Sequence, residues 1–101
     1  MYKRQSKAFI GIDGASIKQG FTAHFLESAE LVRKMAEQAN KIFVLSSSKK
    51  FGKPGFARII PYDLADALIT DEDLNSEEET ALLKANVQII KANTKKVNHG
   101  D

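Results

Sequence analysis

The 101-residue sequence predicts an α/β fold, and three observations carry that expectation. Short apolar runs alternate along the chain with stretches of helical periodicity, so strands and helices should follow one another. The first two runs are separated by one amphipathic helix, the arrangement of a right-handed crossover between parallel strands. The first run, Ala8-Phe9-Ile10-Gly11-Ile12-Asp13-Gly14, also ends in Gly-x-Asp-Gly. Ligands of open parallel sheets bind where such strands end, and small residues there let a ligand approach the backbone.

In chain order, residues 1–7 read as a disordered lead and residues 8–13 as the first strand. A turn around Gly14 and Gly20 follows, Asp13-Gly14 being good turn chemistry in its own right. Leu26, Ala29, Val32, Met35, Ala36 and Ala39 recur at spacings of three and four, which predicts a helix over 26–39 with that face against a sheet. Glu27, Glu30, Arg33, Lys34 and Glu37 fall on its solvent face. Lys41-Ile42-Phe43-Val44-Leu45 is β-rich and too short for a helix, and a polar loop from Ser46 to Gly55 follows it. Arg58-Ile59-Ile60 is a short apolar piece stopped by Pro61, and residues 65–70 predict a third strand. Ser76-Glu77-Glu78-Glu79 reads as a capping box with Ser76 as the cap, opening a second helix over 77–85 with Leu82 and Leu83 inward. Val87-Gln88-Ile89-Ile90 predicts the last strand, and 93–101 a frayed tail. Two helices cover four parallel strands poorly, so the chain reads as part of a domain.

Composition narrows the function. A content of 43% hydrophobic and 28% charged residues is that of an ordinary soluble domain with a modest core. The formal net charge is +2, and much of the basic excess sits at the two ends, as in solvated tails rather than a nucleic-acid surface. With no cysteine there is no disulfide framework, thiol nucleophile or thiolate metal site. No apolar run approaches the ~20 residues of a membrane span, so no membrane association and a cytoplasmic location are expected. His24 and His99 are isolated and read as surface residues, and no His/Asp/Glu grouping has metal-ligand spacing. Neither the phosphate-loop nor the dinucleotide fingerprint is present, so no cofactor is expected.

What remains is placement. Asp13 lies at the carboxyl end of the first strand, and Ser46, Ser47, Ser48 and Lys50 lie just past the end of the second. In a parallel sheet those ends share one edge, so these residues can converge on one crevice. Hydroxyls, backbone N–H groups and an ammonium there suit a phosphate or a hydroxyl-rich ligand, with a helix start near residue 26 adding positive potential. The plain alternative is that Lys49, Lys50 and Lys53 form a solvated basic loop.

Several stretches together resemble the DeoR family of bacterial transcriptional regulators. They are Phe9-Ile10-Gly11-Ile12-Asp13-Gly14, Gly20-Phe21-Thr22, Glu27-Ser28-Ala29-Glu30 with Arg33-Lys34-Met35, Val44-Leu45-Ser46-Ser47-Ser48-Lys49-Lys50-Phe51-Gly52, Ala57-Arg58-Ile59 and Leu68-Ile69-Thr70-Asp71. They stand in order and at matching spacing from about residue 7 to 92, the span of the second half of that family's effector-sensing domain. The resemblance implies a Rossmann-like fold similar to ribose-5-phosphate isomerase and glucosamine-6-phosphate deaminase, here a partial parallel sheet. It implies a non-enzymatic sensor of a phosphorylated sugar or related metabolite in a homo-oligomeric repressor-type regulator of carbohydrate metabolism. Operator DNA would be met only through an N-terminal helix-turn-helix, which, like the sensor's first half, would lie upstream of Met1. Placement and this resemblance together give Asp13, Gly14, Glu27, Ser47, Ser48 and Lys50 as the expected effector-binding residues. Asp13 and Gly14 fall on the Gly-x-Asp-Gly motif, Lys50 on a phosphate-binding lysine of the deaminases, and Glu27 near the isomerases' proton-transfer residue. The family usually has an acidic residue at Ser47 and often a basic one at Val32. The alternatives are a fragment of a sugar-phosphate isomerase or deaminase and a stand-alone interaction module.

Overall fold

The computed structural model describes residues 6–92; the residues 1–5 of the expected lead and the expected tail 93–101 lie outside the described residues. Seven strands and two helices follow in the order β1 (Lys7–Gly11), β2 (Gly14–Ser16), β3 (Gly20–Ala23), α1 (Leu26–Glu37), β4 (Lys41–Leu45), β5 (Ala57–Ile60), β6 (Ala67–Asp71), α2 (Ser76–Lys84) and β7 (Gln88–Ala92). They form two sheets. Strands β1-β4-β6-β7 make a four-stranded parallel sheet, and β2-β3-β5 a three-stranded antiparallel one. The fold is Rossmann-like α/β, as expected, with the second sheet added to it.

The parallel sheet is laid down in sequence order, and crossovers of one hand then place every connecting element on the same face. Burial shows the result. Ala8 and Ile10 of β1, Val44 of β4 and Leu68 of β6 are buried together under the helices and the small sheet. The opposite face keeps its apolar side chains in the open: Phe9 is 56% exposed, Leu45 42% and Ile90 41%. Phe9 and Phe43, paired across β1 and β4, stack on this bare face with ring centroids 5.0 Å apart. Parallel sheets are normally covered on both faces.

The small sheet grows from residues expected to be a turn. Strands β2 and β3 form a hairpin joined by Ile17-Lys18-Gln19, with Ser16 opposite Gly20. Gly20 closes it at φ 81°, and a Cβ there would stand 2.6 Å from the Ile60 carbonyl, so both conformation and close approach require glycine. The short piece around Arg58–Ile60 becomes β5 and pairs with β3. Its carbonyls at Arg58 and Ile59 accept hydrogen bonds from the Arg33 guanidinium of α1. Between the sheets, the fully buried Phe21 ring contacts Tyr62 at 4.8 Å and Phe51 at 6.4 Å.

Several boundaries and faces differ from expectation. Ser6 is not a free lead, because its carbonyl accepts the Asn40 and Lys41 N–H groups, and β1 starts at Lys7 and ends before Ile12. The third strand runs Ala67–Asp71 instead of 65–70, and the last runs Gln88–Ala92 instead of 87–90. Helix α1 stops at Glu37; it buries Ala29 and Ala36 but leaves Leu26 and Met35 outward, Met35 being 45% exposed. Helix α2 is capped one residue earlier than expected: the Asn75 side chain, not Ser76, accepts the Glu78 N–H at 2.8 Å. It buries Leu82 but exposes 54% of Leu83. It ends in a Schellman motif, with Asn86 at φ 67° and the Val87 N–H on the Leu82 carbonyl.

One buried polar pair ties α2 to the small sheet's exit. The Tyr62 hydroxyl donates to Glu78 Oε1 at 2.8 Å, and both residues are buried. Burial foremost, then the hydrogen bond to Glu78 and that carboxylate's charge, holds the Tyr62 phenol well above its usual pKa. Tyr62→Phe should leave Glu78 buried without this donor and cost about 1 to 3 kcal/mol in urea unfolding; an unchanged midpoint would show that the pair is not stabilising. The bare sheet face predicts that the 101-residue chain self-associates on its own, and that Phe9→Lys raises the monomer fraction by light scattering. A wild-type monomer with a sharp melt would contradict this.

A lysine-lined pocket at the carboxyl edge

The chain leaves β1 through Ile12 and Asp13 and leaves β4 through Ser46 and Ser47, so both exits lie on one edge of the parallel sheet. There a depression of about 380 Å³ is lined by Asp13, His24, Ser47, Lys49, Lys50, Lys53 and Pro54. Each wall is held by backbone hydrogen bonds. The Asp13 N–H donates to the Thr22 carbonyl at 3.0 Å, and Asp13 Oδ2 accepts the His24 N–H at 2.9 Å. The end of β3 is thereby pinned to the end of β1.

The backbone of the basic segment is pinned as firmly, although Lys49 and Lys53 remain exposed to solvent. Ser48–Lys50 forms one 3-10 turn, whose cap is the Ser47 hydroxyl accepting the Lys49 N–H at 3.1 Å. Phe51, next in the chain, is buried against Phe21 and Tyr62. Beyond it, the Gly52 N–H donates to the Ala15 carbonyl at 2.8 Å, and the Gly55 N–H donates to the buried Thr22 hydroxyl at 2.7 Å. The Lys53 carbonyl lies so close over Gly14 that a Cβ there would stand 2.2 Å from it. Gly14 is small because this loop crosses it, a different reason from the ligand approach expected of it.

Asp71, at the end of β6, is the latch on the other side. Its Oδ2 accepts the Ser48 N–H at 2.9 Å and its Oδ1 the Asp73 N–H at 2.9 Å. Hydrogen bonds from the Ser48 hydroxyl and N–H, with smaller contributions from Asp73 N–H and the Ser47 hydroxyl, draw the Asp71 carboxyl down to about 2. The two aspartates at strand ends thus do the same work, each accepting a backbone N–H from a segment that carries pocket residues. Three lysines and a histidine thus line the depression with one aspartate, so lysines outnumber carboxylates in its lining.

Of the residues expected in the site, the structure brings Asp13, Ser47 and Lys50 to the pocket wall. Ser48 is turned to Asp71, and Gly14 lies beneath the loop. Glu27 sits in the first turn of α1 on a separate shallow depression with Glu30, Leu31 and Lys34. Sequence reasoning missed His24, Lys49, Lys53 and Asp71 as parts of this arrangement. Lys49 and Lys53 were legible as neighbours of Lys50, but His24 is brought in only by the hairpin. Among the described residues no group of three or more His, Asp or Glu side chains is placed to hold a metal ion, and no helix is long and apolar enough to cross a membrane.

Fold and pocket together define a Rossmann-like α/β unit with a cation-rich crevice at the carboxyl edge of its parallel sheet. The chain belongs to the DeoR C terminal sensor domain family, whose profile matches residues 3–72. It is 33% identical over 82 residues to the putative aga operon transcriptional repressor of Escherichia coli O157:H7, an alignment covering 81% of this chain and 30% of that protein. It is 24% identical over 94 residues to the HTH-type transcriptional regulator IolR of Bacillus subtilis strain 168, covering 75% of this chain and 38% of the relative. With the HTH-type transcriptional regulator GlpR of Haloferax volcanii it shares 23% identity over 82 residues, covering 81% of this chain and 32% of the relative. The chain therefore spans about a third of the length of these relatives.

Asp71→Asn tests the latch. A carboxyl whose folded pKa is depressed stabilises the fold above its unfolded value, near 3.9, and loses that contribution as pH falls through about 2. Wild type should therefore be the more stable by a constant margin above about pH 4, with the two unfolding midpoints converging toward pH 2. A margin that persists unchanged to pH 2 would contradict the latch.

Proposed function

We propose that this pocket takes the phosphate of a phosphorylated sugar or related metabolite, and that the chain is the effector-sensing part of a DeoR-type regulator of carbohydrate metabolism. One observation carries the reading: Lys49, Lys50 and Lys53 are held on a pinned loop around one pocket at the edge where parallel sheets receive ligands. Ammonium groups suit a phosphate, and Asp13, one of whose carboxylate oxygens accepts the His24 N–H, can accept a sugar hydroxyl through the other. Ser47 adds a polar wall, while Gly14 and Ser48 serve through the shape and anchorage of the loop. Glu27 has no part in this pocket. The family and the relatives' names support regulation over catalysis, and the isomerase or deaminase reading has no support from them.

Sensing of this kind needs no bond chemistry. The effector must bind two arrangements of the protein with unequal affinity, and the difference is what reaches the DNA-binding part. In the longer proteins of this family that part would be a helix-turn-helix, and the regulator would act as a homo-oligomer.

Calorimetry with a hexose 6-phosphate and with the unphosphorylated hexose tests the reading. The phosphorylated sugar should bind and the free sugar should not, and Lys50→Ala should weaken the phosphorylated ligand by about 2 kcal/mol. Equal affinity for the two sugars, or an unchanged affinity in Lys50→Ala, would overturn the assignment.

A further inference from the structure

One pocket residue is unlike the rest. The backbone of His24 is fixed by the bond to Asp13, and its ring stands edge-on to Phe25 with centroids 6.4 Å apart and planes at 87°. His24 lines the pocket together with Asp13, Lys49, Lys50 and Lys53, the charged residues that share it from the β1 exit and the basic loop. From α1 the charge that follows soonest along the chain is Glu27, which lines the neighbouring depression. An imidazole is the side chain whose charge changes near neutral pH, through a balance set by the charges around it. A dianion in the pocket shifts that balance, since it neutralises the lysines and offers a protonated ring an acceptor. Proton and anion then bind cooperatively, and by linkage each raises the affinity of the other.

We infer that His24 is an anion-contacting residue of this pocket, so that a phosphate-type dianion is bound together with a proton on the His24 ring and is held less tightly as pH rises through neutrality. The inference rests on the reading of the pocket as a phosphate site. It adds to that reading a dependence on pH carried by a residue outside the lysine loop. In the cationic ring both nitrogens donate, whereas the neutral ring keeps one donor.

Sulfate is the probe of choice, because it carries two negative charges throughout the neutral range and any pH dependence then belongs to the protein. The 101-residue chain is titrated with sodium sulfate at constant ionic strength and followed by NMR from about pH 5.5 to about pH 8.5, with the His24 ring signal assigned from its loss in His24→Gln. Saturating sulfate should raise the His24 midpoint by about one pH unit, and sulfate affinity should fall about tenfold across the range. His24→Gln should still bind sulfate, with an affinity flat in pH. Wild type that binds sulfate while the His24 midpoint stays in place would overturn the inference and leave the pocket reading standing. Absence of any response to sulfate at the Lys49–Lys53 amides would overturn both.

Discussion

Strand order is the constraint on which the rest depends. Because β1, β4, β6 and β7 are laid down side by side in sequence order, their carboxyl ends share one edge and their connections fall on one face. The first consequence is the pocket, since Asp13, Ser47 and Asp71 all lie just at or past a strand end. The second is the bare apolar face, with the Phe9–Phe43 pair toward its β1 edge. One topological fact thus gives the unit both its site and its unfinished look, in keeping with a chain that spans about a third of its relatives.

The pocket is assembled from backbone clasps rather than from side chains reaching toward a common point. Asp13 holds the end of β3, Asp71 holds the turn that carries Lys49 and Lys50, and Thr22 holds the loop beyond Lys53. The buried Phe51 ring nails the middle of that loop to the aromatic group around Phe21. The lysines are thereby held without an ion pair recorded at any of them among the described residues, where the ion pair is Lys91 with Glu79. The backbone that carries the lysines is thus ordered before an anion arrives, while the side chains of Lys49 and Lys53 stay exposed.

The legible part of the fold was the part with a clear period. The runs around Phe9 and Phe43 and the helices around Ala29 and Leu82 carry patterns long enough to read, and each forms within a few residues of its expected place. The antiparallel sheet was not legible because Gly14–Ser16 is a three-residue strand rich in turn formers, and only pairing with Phe21 and its neighbours makes it a strand. Periodicity puts Met35 and Leu83 inward although both are exposed, because it shows which residues share a face and not whether anything covers that face. Asp13, Ser47 and Lys50 could be placed from strand ends alone. His24 could not, since eleven residues separate it from Asp13 and only the hairpin register brings them together.

The central claim is that the Lys49–Lys53 loop and the Asp13–His24 clasp form one anion site. The most direct measurement is a map of backbone amide shifts as inorganic phosphate is added to the chain. The account predicts saturable shifts centred on Lys49, Lys50, Lys53 and His24, with a weaker apparent phosphate affinity once phosphorylated sugar competes for the same place. Shifts centred instead on the groove of Ile17, Ala81 and Lys84, or scattered over all surface lysines without saturation, would contradict it.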